Sequence, residues 1–565
     1  MSPSGPDDFR IRPYLQNPAP HSMLVTWFSW TDQPGRLHLE GRPEIVSCPR
    51  LMAVLDWTEA NRRQAAAHPE WGQWLQEGRN YRHQVLLEGL RPDTRYTYTV
   101  TQGRTRATAT LTTAPSTAHW SRIRFIAMSD SETAPIGRVR RRAWPPGALA
   151  KGGGRPDPET SRWARRFGHQ DTGRGPVLQY CLTEDEGFGH NIAIAAQRDA
   201  DLLLFAGDLV QGGAYQPGWA EWFRHLAGPD SHPASSRPLV TAMGNWEPFG
   251  GADGGYRIDA VIKGRAAYRS YFTPFGNGTE AHRGNYHRLD YGPLTILTLD
   301  STKGSPDDHP GHYPPELRAT GPDAEEIGTD TQCHYTSTDY VAAGGTDLSP
   351  FNPGSVQWSW ARAQLADARS HGQIIVVQVH HAPYSSGQHG LPMQHAETTG
   401  QGGTPLRAYA PMFAEFDVAA VISGHSELFE RSYVDLDGDG RGINYYDVGV
   451  AGDDLRSERH AFDEEGNGSL LGANPYRVWT ADQFEPEVWA EEHLVDGGKH
   501  YGHLEVTIER AEPPGQGATM RLTPVYSFPL LSADLEVLGT ERRTYCDEVV
   551  LHLAADGTVI HEQDR

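Results

Sequence analysis

Apolar and polar residues alternate between Phe9 and Pro115, most sharply in SMLVTWF, YRHQVLLEGL and LRPDTRYTYTV, where Tyr96, Tyr98 and Val100 share one face. A period of two marks half-buried strands, so this stretch predicts a small all-β sandwich. Leu90, Pro92, Thr94 and Tyr96 have the spacing of a tyrosine corner, in which the phenol hydrogen-bonds back to the turn before its strand. The alternation breaks between Asp56 and Arg79, where WTEANRRQAAAHPEWGQWLQEG has the composition of a short helix. TTAPSTAHW reads as a linker, and the expected division is residues 1–115 and 116–565.

From Arg122 the pattern changes to short continuous apolar runs, each followed at once by polar residues: IRFIAMSDSE, DLLLFAGD, PLVTAMGNWE, LTILTLDS, IIVVQVHH and VAAVISGHSE. Continuous runs suit strands buried on both faces, and Asp, Asn and His beyond them suit an α/β fold with its site past the strand ends. SVQWSWARAQLADARSHG predicts a helix capped by Ser355 and ending near Gly372. Thr133–Thr183 and Thr302–Pro353 read as long irregular loops of functional or mobile character. After Ala451, YGHLEVTIER, ATMRLTPVYSF and EVVLHLAADGTVI predict a closing β-rich part of the second domain.

Charge narrows the functional classes. Among 565 residues, 50 Lys and Arg face 72 Asp and Glu, and the net charge of -22 repels nucleic-acid backbones and anionic lipid. The basic run Arg138, Arg140, Arg141 and Arg142 in GRVRRRAW reads as a solvated loop, with contact to a substrate phosphate as the weaker alternative. Cys48, Cys181, Cys333 and Cys546 lie far apart with no CxxC, so a disulfide framework or zinc knuckle is not expected. MSPSGPDDFRIRPYL lacks the apolar core of a signal peptide, and no stretch approaches the ~18 apolar residues of a membrane span. The expectation is a soluble, cytoplasmic protein, or a secreted one if a signal has been removed.

Five blocks carry the chemistry: Asp130-Ser131-Glu132, Gly207-Asp208, Gly244-Asn245-Trp246-Glu247, Val377 to His380 followed by His381-Ala382-Pro383-Tyr384, and Gly424-His425-Ser426-Glu427. Their order and types resemble the calcineurin-like metallophosphoesterases and, with the amino-terminal strands, the purple acid phosphatases. NYHRLDYGPLTILTLDS, QWSWARAQLADA, LFERS and NYYDVGVAGDDLR resemble connecting segments of the same family. The resemblance implies a four-layer α/β/β/α metallophosphoesterase sandwich preceded by an all-β fibronectin type III-like domain. It further implies a phosphoesterase that holds two divalent or mixed-valence ions and attacks phosphorus with the hydroxide between them. Asp208 would bridge the ions, and Asp208, Asn245, His380 and His425 would hold one of them.

The other ion's set departs from the family. Two histidine positions are occupied by Glu132 and Glu427, leaving Asp130, Glu132, Asp208 and Glu427 as an all-oxygen set that suits Mn, Fe or Mg, with Ca as a further candidate. Zinc is a further candidate at the histidine-containing site. Salt bridging or hydrogen bonding outside the metal's coordination is the alternative for either glutamate. Gln211 stands where purple enzymes carry a tyrosinate, so no purple colour is expected; Tyr215 reads as a strand-end or surface residue. Trp246 replaces the family's phosphate-contacting histidine and cannot act as a general acid. His381, His389 and His395 are then the candidate proton donors, with Asp208, Asn245 and His381 the expected catalytic residues. Asp435 to Gly442, DLDGDGRG, begins like a calcium loop but reads better as a hairpin turn.

The function expected is therefore metal-dependent hydrolysis of small phosphate esters, without nucleic-acid or membrane partners. The alternative is a single-metal or inactive phosphoesterase-like binding protein. Oligomeric state is left open by the sequence.

Overall fold

The computed structural model of the protein describes residues 7–147, 154–173, 175–251, 254–303, 337–391, 401–462, 468–470, 474–513 and 515–561. At the amino terminus, one antiparallel sheet runs in the order Phe9–Ala19, Ser22–Ser29, Tyr81–Glu88, Arg50–Leu51. A second runs Ile45–Val46, Arg36–Leu39, Arg95–Gln102, Thr105–Thr112. Alternate residues from both fill the space between them, among them Val25, Trp27, Leu37, Val85 and Val100. The Arg91 backbone N–H donates to the Tyr96 hydroxyl at 2.9 Å, closing the corner that the spacing predicts. The interruption contains the helix Glu59–Ala67, whose Thr58 hydroxyl accepts from Asn61 N.

Beyond Arg122 two large sheets lie face to face. The first has the order Leu239–Thr241, Leu202–Phe205, Arg122–Met128, Gly502–Arg510, Ala518–Leu531, Val549–Leu553, Val559–Ile560, with Val537–Thr544 also paired to Ala518–Leu531. The second has the order His287–Tyr291, Leu294–Thr298, Ile374–His381, Ala420–Gly424, Ile443–Val448, Phe429–Val434, Arg477–Thr480. Phe125, Leu204, Ile296, Val376, Ile422 and Val506 from the two sheets share one core. Helices Glu184–Gln197, Gln216–Ala227 and Ile258–Tyr271 cover the outer face of the first through Phe188, Trp222 and Tyr268. Val356–Ser370 and Ala410–Glu415 cover the second through Leu365 and Phe413. The strands Leu202–Phe205, Leu294–Thr298, Ile374–His381 and Ala420–Gly424 are buried along their whole length, which is why their sequences are largely apolar without alternation; full burial of each large side chain contributes roughly 1.5–3 kcal/mol.

The amino-terminal sheets are tied to this core. Tyr14 donates to the Tyr271 carbonyl and Tyr98 to the Ser235 carbonyl, both at 2.7 Å and both buried. Among the described residues no helix is long and apolar enough to cross a membrane.

Three local expectations are corrected. Thr133–Thr183, read as an irregular loop, contains strands Arg141–Ala143, His169–Asp171 and Pro176–Thr183 in one sheet, and helix Arg162–Phe167. Trp144, Trp163 and Tyr180 hold it against the domain as a buried aromatic cluster. Arg138, read as part of a solvated run, is 1 % exposed. Its guanidinium lies 3.3 Å from Glu221 Oε1 and donates to the Ser131, Glu184 and Gly452 carbonyls, so a charge that looks superfluous in sequence joins three chain segments. Tyr215 lies neither at a strand end nor on the surface: it is buried at the N-cap of helix Gln216–Ala227.

Within Thr302–Pro353 the described residues include the short helix Ser337–Ala342. Cys333 and His395 lie outside the described residues, whereas Cys48, Cys181 and Cys546 form no disulfide. Asp435–Gly442 joins the antiparallel strands Phe429–Val434 and Ile443–Val448, and the Asp435 carboxylate accepts from Gly438 N and Gly440 N, as a hairpin turn requires.

Candidate metal centre

The residues expected to ligate metal come together just past the ends of the inner strands. Asp130 follows Arg122–Met128, Asp208 follows Leu202–Phe205, Asn245 follows Leu239–Thr241, His380 is near the end of Ile374–His381, and His425 follows Ala420–Gly424. Glycines beside them allow the approach. A Cβ on Gly244 would fall 2.3 Å from Asp208 Oδ1, and one on Gly424 would fall 2.1 Å from Asp130 Oδ2.

Five of these residues have left-handed backbone: Asp130 at φ 59°, Glu132 at 36°, Asp208 at 50°, His425 at 80° and Glu427 at 52°. Such conformations cost roughly 1–3 kcal/mol each for a residue with a side chain and persist only where surrounding bonds fix them. The bonds are present. Glu132 N donates to Asp208 O at 2.9 Å, Asp453 N to Asp130 O at 3.1 Å, and Arg456 N to Glu427 O at 3.0 Å, so the three acidic loops are stitched to one another. Glu247 fixes the Asp208 turn from below: its carboxylate accepts from the backbone N–H groups of Asp208, Leu209, Val210 and Gly244 at 3.1, 2.8, 3.4 and 2.6 Å. Glu247→Ala would leave buried donors unpaired at about 1–3 kcal/mol each. It should therefore lower unfolding stability by at least about 3 kcal/mol in denaturant titrations, where a loss below about 1 kcal/mol would refute this role.

His380 shows what the arrangement is built to receive. Its Nδ1 lies 2.9 Å from the Ala206 carbonyl, which can only accept, so the Nδ1 hydrogen is committed there. Nε2 lies 2.8 Å from Asn245 Oδ1 and 2.9 Å from Asp208 Oδ2. Burial pushes the His380 pKa down to about 3, so Nε2 carries a lone pair. Three lone-pair donors thus face one another, an arrangement that suits a cation at their centre. His425 is similar: Nε2 lies 2.6 Å from the Gln401 carbonyl and donates its hydrogen there, which leaves the lone pair on Nδ1. Donor atoms of Asp208, His380 and His425 all lie within 4.8 Å of one another.

The carboxylates make the complementary case. Asp130, Glu132 and Asp208 offer oxygens within the same separation, and Glu132 groups likewise with Glu427 and Asp453. Burial is the largest influence on all of them. It raises Asp130 to about 7 and lifts Glu132, Asp208 and Glu427 well above the carboxylate range, with neighbouring carboxylates adding to the rise. Glu132 is 2 % exposed and its Oε1 has no hydrogen-bond partner. A divalent ion would supply the missing interaction and hold the acids ionised.

Sequence reasoning misses Asp453 and Arg456, and it reads Arg142 as part of a solvated run, whereas Arg142 pairs with Asp453 and Glu184. Asp453 lies within GVAGDD, remote in sequence from Glu132, with which it groups. Arg456 Nε lies 2.6 Å from Glu427 Oε2, and Arg142 donates to Asp453 at 2.7 Å and also pairs with Glu184. Among the proposed proton donors, His381 Nδ1 lies 2.8 Å from Ser301 Oγ while its buried Nε2 has no hydrogen-bond partner. Its ring centroid is 4.2 Å from that of His425, and His389 stacks on His425 at the same separation. Trp246 is half-buried edge-on to Phe249 and donates its backbone N–H to Asp208 Oδ1 at 2.8 Å.

Comparison with known proteins agrees with the fold. Residues 187–426 match the calcineurin-like phosphoesterase family, and residues 9–123 match the purple acid phosphatase N-terminal domain. The first match includes Asp208, Asn245, His380, His381 and His425, and it leaves Asp130, Glu132, Glu427 and Asp453 outside. Uncharacterized proteins from two strains of Mycobacterium tuberculosis are each 24% identical over 356 residues, covering 61% of this chain and 50% of theirs. The chain spans about half the length of these curated relatives. The purple acid phosphatase PPD1 from yellow lupin (Lupinus luteus) seeds has a similar fold, with a TM-score of 0.53 at 14% identity over 94% of this chain and 74% of that one. PhoD also has a TM-score of 0.53, at 12% identity over 100% of this chain and 93% of that one. With both matches lying in the order and place that the fold assigns them, the chain carries a purple acid phosphatase N-terminal domain followed by a calcineurin-like phosphoesterase domain.

Proposed function

We propose that this chain is a metal-dependent phosphoesterase acting on small phosphate esters, with Asp208, Asn245, His380 and His425 holding one ion and Asp130, Glu132, Asp208 and Glu427 the other. The observation that carries the reading is the convergence of the His380 Nε2 lone pair on Asn245 Oδ1 and Asp208 Oδ2 at 2.8 and 2.9 Å. When bound, the ions lower the pKa of water and polarise the phosphoryl oxygens. The chain's own residues do the rest: the Ala206 carbonyl fixes the His380 tautomer, Glu247 holds the Asp208 turn, and His381, whose ring lies 4.2 Å from that of His425, is the candidate proton donor.

The carboxylate set favours Mn²⁺, Mg²⁺ or Fe²⁺ over zinc, which fits better beside the two histidines. Gln211 leaves no tyrosinate at the usual place, and burial raises the Tyr215 hydroxyl well above the range in which it ionises. Purified protein should therefore contain close to two ions per chain, hydrolyse aryl phosphate mono- or diesters, and be activated by Mn²⁺, Mg²⁺ or Fe²⁺ without purple absorption. Elemental analysis, rates and a visible spectrum on one preparation check this; a tyrosinate-to-iron band would refute the ligand assignment.

A second reading, a binding protein with one ion at the histidine side, draws on Arg456 Nε at 2.6 Å from Glu427 Oε2, where a guanidinium already offsets a carboxylate. One ion per chain and no turnover would favour it.

A further inference from the structure

We infer that Asp453 is a metal ligand, completing with Glu132 and Glu427 an all-carboxylate position for a hard divalent cation. This rests on the reading of the site as a metal centre and adds a residue that neither the blocks in sequence nor the family match contains.

The three side chains come from separate segments, are all buried, and offer oxygens that lie within 4.8 Å of one another. Clustered acids alone would not imply a ligand, since mutual repulsion can be relieved by protonation. The independent observation is Glu132 Oε1, buried and without any hydrogen-bond partner. An unpaired carboxylate oxygen in such a place is strongly unfavourable unless a cation is supplied. The arginines do not supply it at Glu132: Arg142 reaches Asp453 and Glu184, and Arg456 reaches Glu427 and Asp454.

The placement of Asp453 is fixed by more than its side chain. Its N–H and that of Gly452 both donate to the Asp130 carbonyl, at 3.1 and 3.2 Å, and its own carbonyl accepts from Tyr501 at 2.8 Å. Asp453 is therefore carried by the residue expected to ligate the same ion. Arg142 donates to one carboxylate oxygen, Oδ1, at 2.7 Å. This is the arrangement in which a ligating carboxylate is oriented by a partner outside the coordination sphere. Three carboxylates and no nitrogen donor select ions such as Mn²⁺ or Ca²⁺.

Mn²⁺ binding, followed by isothermal calorimetry and by the electron paramagnetic resonance of free Mn²⁺, separates a ligand from a structural ion pair. Wild-type chain should bind two ions. Asp453→Asn should retain the ion at the histidine side and bind the other at least about 100-fold more weakly, because loss of an outer partner alone costs 10–100-fold. Arg142→Gln removes that outer partner and keeps the carboxylate, so it should retain both ions with about tenfold weakening at one. Two ions with unchanged affinity in Asp453→Asn, or equal losses in the two variants, would overturn the assignment and leave the phosphoesterase reading intact. One ion in the wild type would overturn it together with the two-ion reading. Thermal melts of each variant in chelator show that the fold persists; if Asp453→Asn fails to fold, Asp453→Ser carries the same comparison.

Discussion

Asp208→Asn is expected to lose bound metal and phosphoesterase turnover together. Its carboxylate belongs to both donor groups, the one with His380 and His425 and the one with Asp130 and Glu132, so its charge is the one both ions would share. The amide keeps the shape of the side chain and an oxygen to accept the Trp246 N–H, now made at 2.8 Å by Oδ1. It removes the negative charge and replaces an oxygen facing His380 Nε2 with a donor or leaves that lone pair unanswered. Changes outside the coordination sphere already cost 10–100-fold in metal affinity, so losing the shared ligand should cost more than about 100-fold, with the rate on an aryl phosphate falling at least as far. Stability should move the other way. Burial lifts the Asp208 carboxyl well above its ordinary value, so at neutral pH its ionised form is destabilising in the metal-free chain. The variant should accordingly melt no lower than wild type in chelator while failing to gain the metal-induced rise. Full metal content and full rate in Asp208→Asn would remove Asp208 from the centre of the site.

The parts of this centre that could be read from sequence are those written locally. An apolar run that stops before Asp130 or Asp208 marks both the strand and the place of the candidate ligand, because a strand buried on both faces is mostly apolar until it leaves the sheet. The capping of helix Val356–Ser370 by Ser355 and the corner at Tyr96 are equally local, each spanning a few residues. What could not be read depends on pairings over long separations. Arg138 looks solvated beside Arg140, Arg141 and Arg142, and only the fold brings Glu221 and the Gly452 carbonyl to it. Asp453 follows a glycine-rich turn with nothing in its neighbourhood to mark it, and becomes part of the acidic cluster because Asp130 accepts its N–H. The two positions Glu132 and Glu427 lie between these cases: the family resemblance implies that acids stand there in place of imidazoles, and the fold adds the third acid and the two arginines around them.

Those substitutions bear on the ion that the carboxylates would hold; Trp246 bears on the leaving group. A histidine at that position could donate a proton to the departing oxygen, whereas an indole N–H can only form a hydrogen bond. Trp246 is anchored by its backbone N–H to Asp208, and its ring packs edge-on against Phe249 with centroids 4.7 Å apart. If metal electrostatics carry the departure, esters with acidic leaving groups should be good substrates and alkyl monoesters poor ones. Trp246→His should then raise rates on alkyl esters selectively, within the ~10²- to 10⁴-fold that general acid catalysis contributes, while aryl esters change little. The comparison requires equal metal content and a series of leaving groups of graded pKa. A steep wild-type dependence that flattens in the variant is the expected result. A flat dependence in the wild type would assign the proton to another residue, and the structure names the first to test: His381, whose buried Nε2 has no hydrogen-bond partner and whose ring lies 4.2 Å from that of His425.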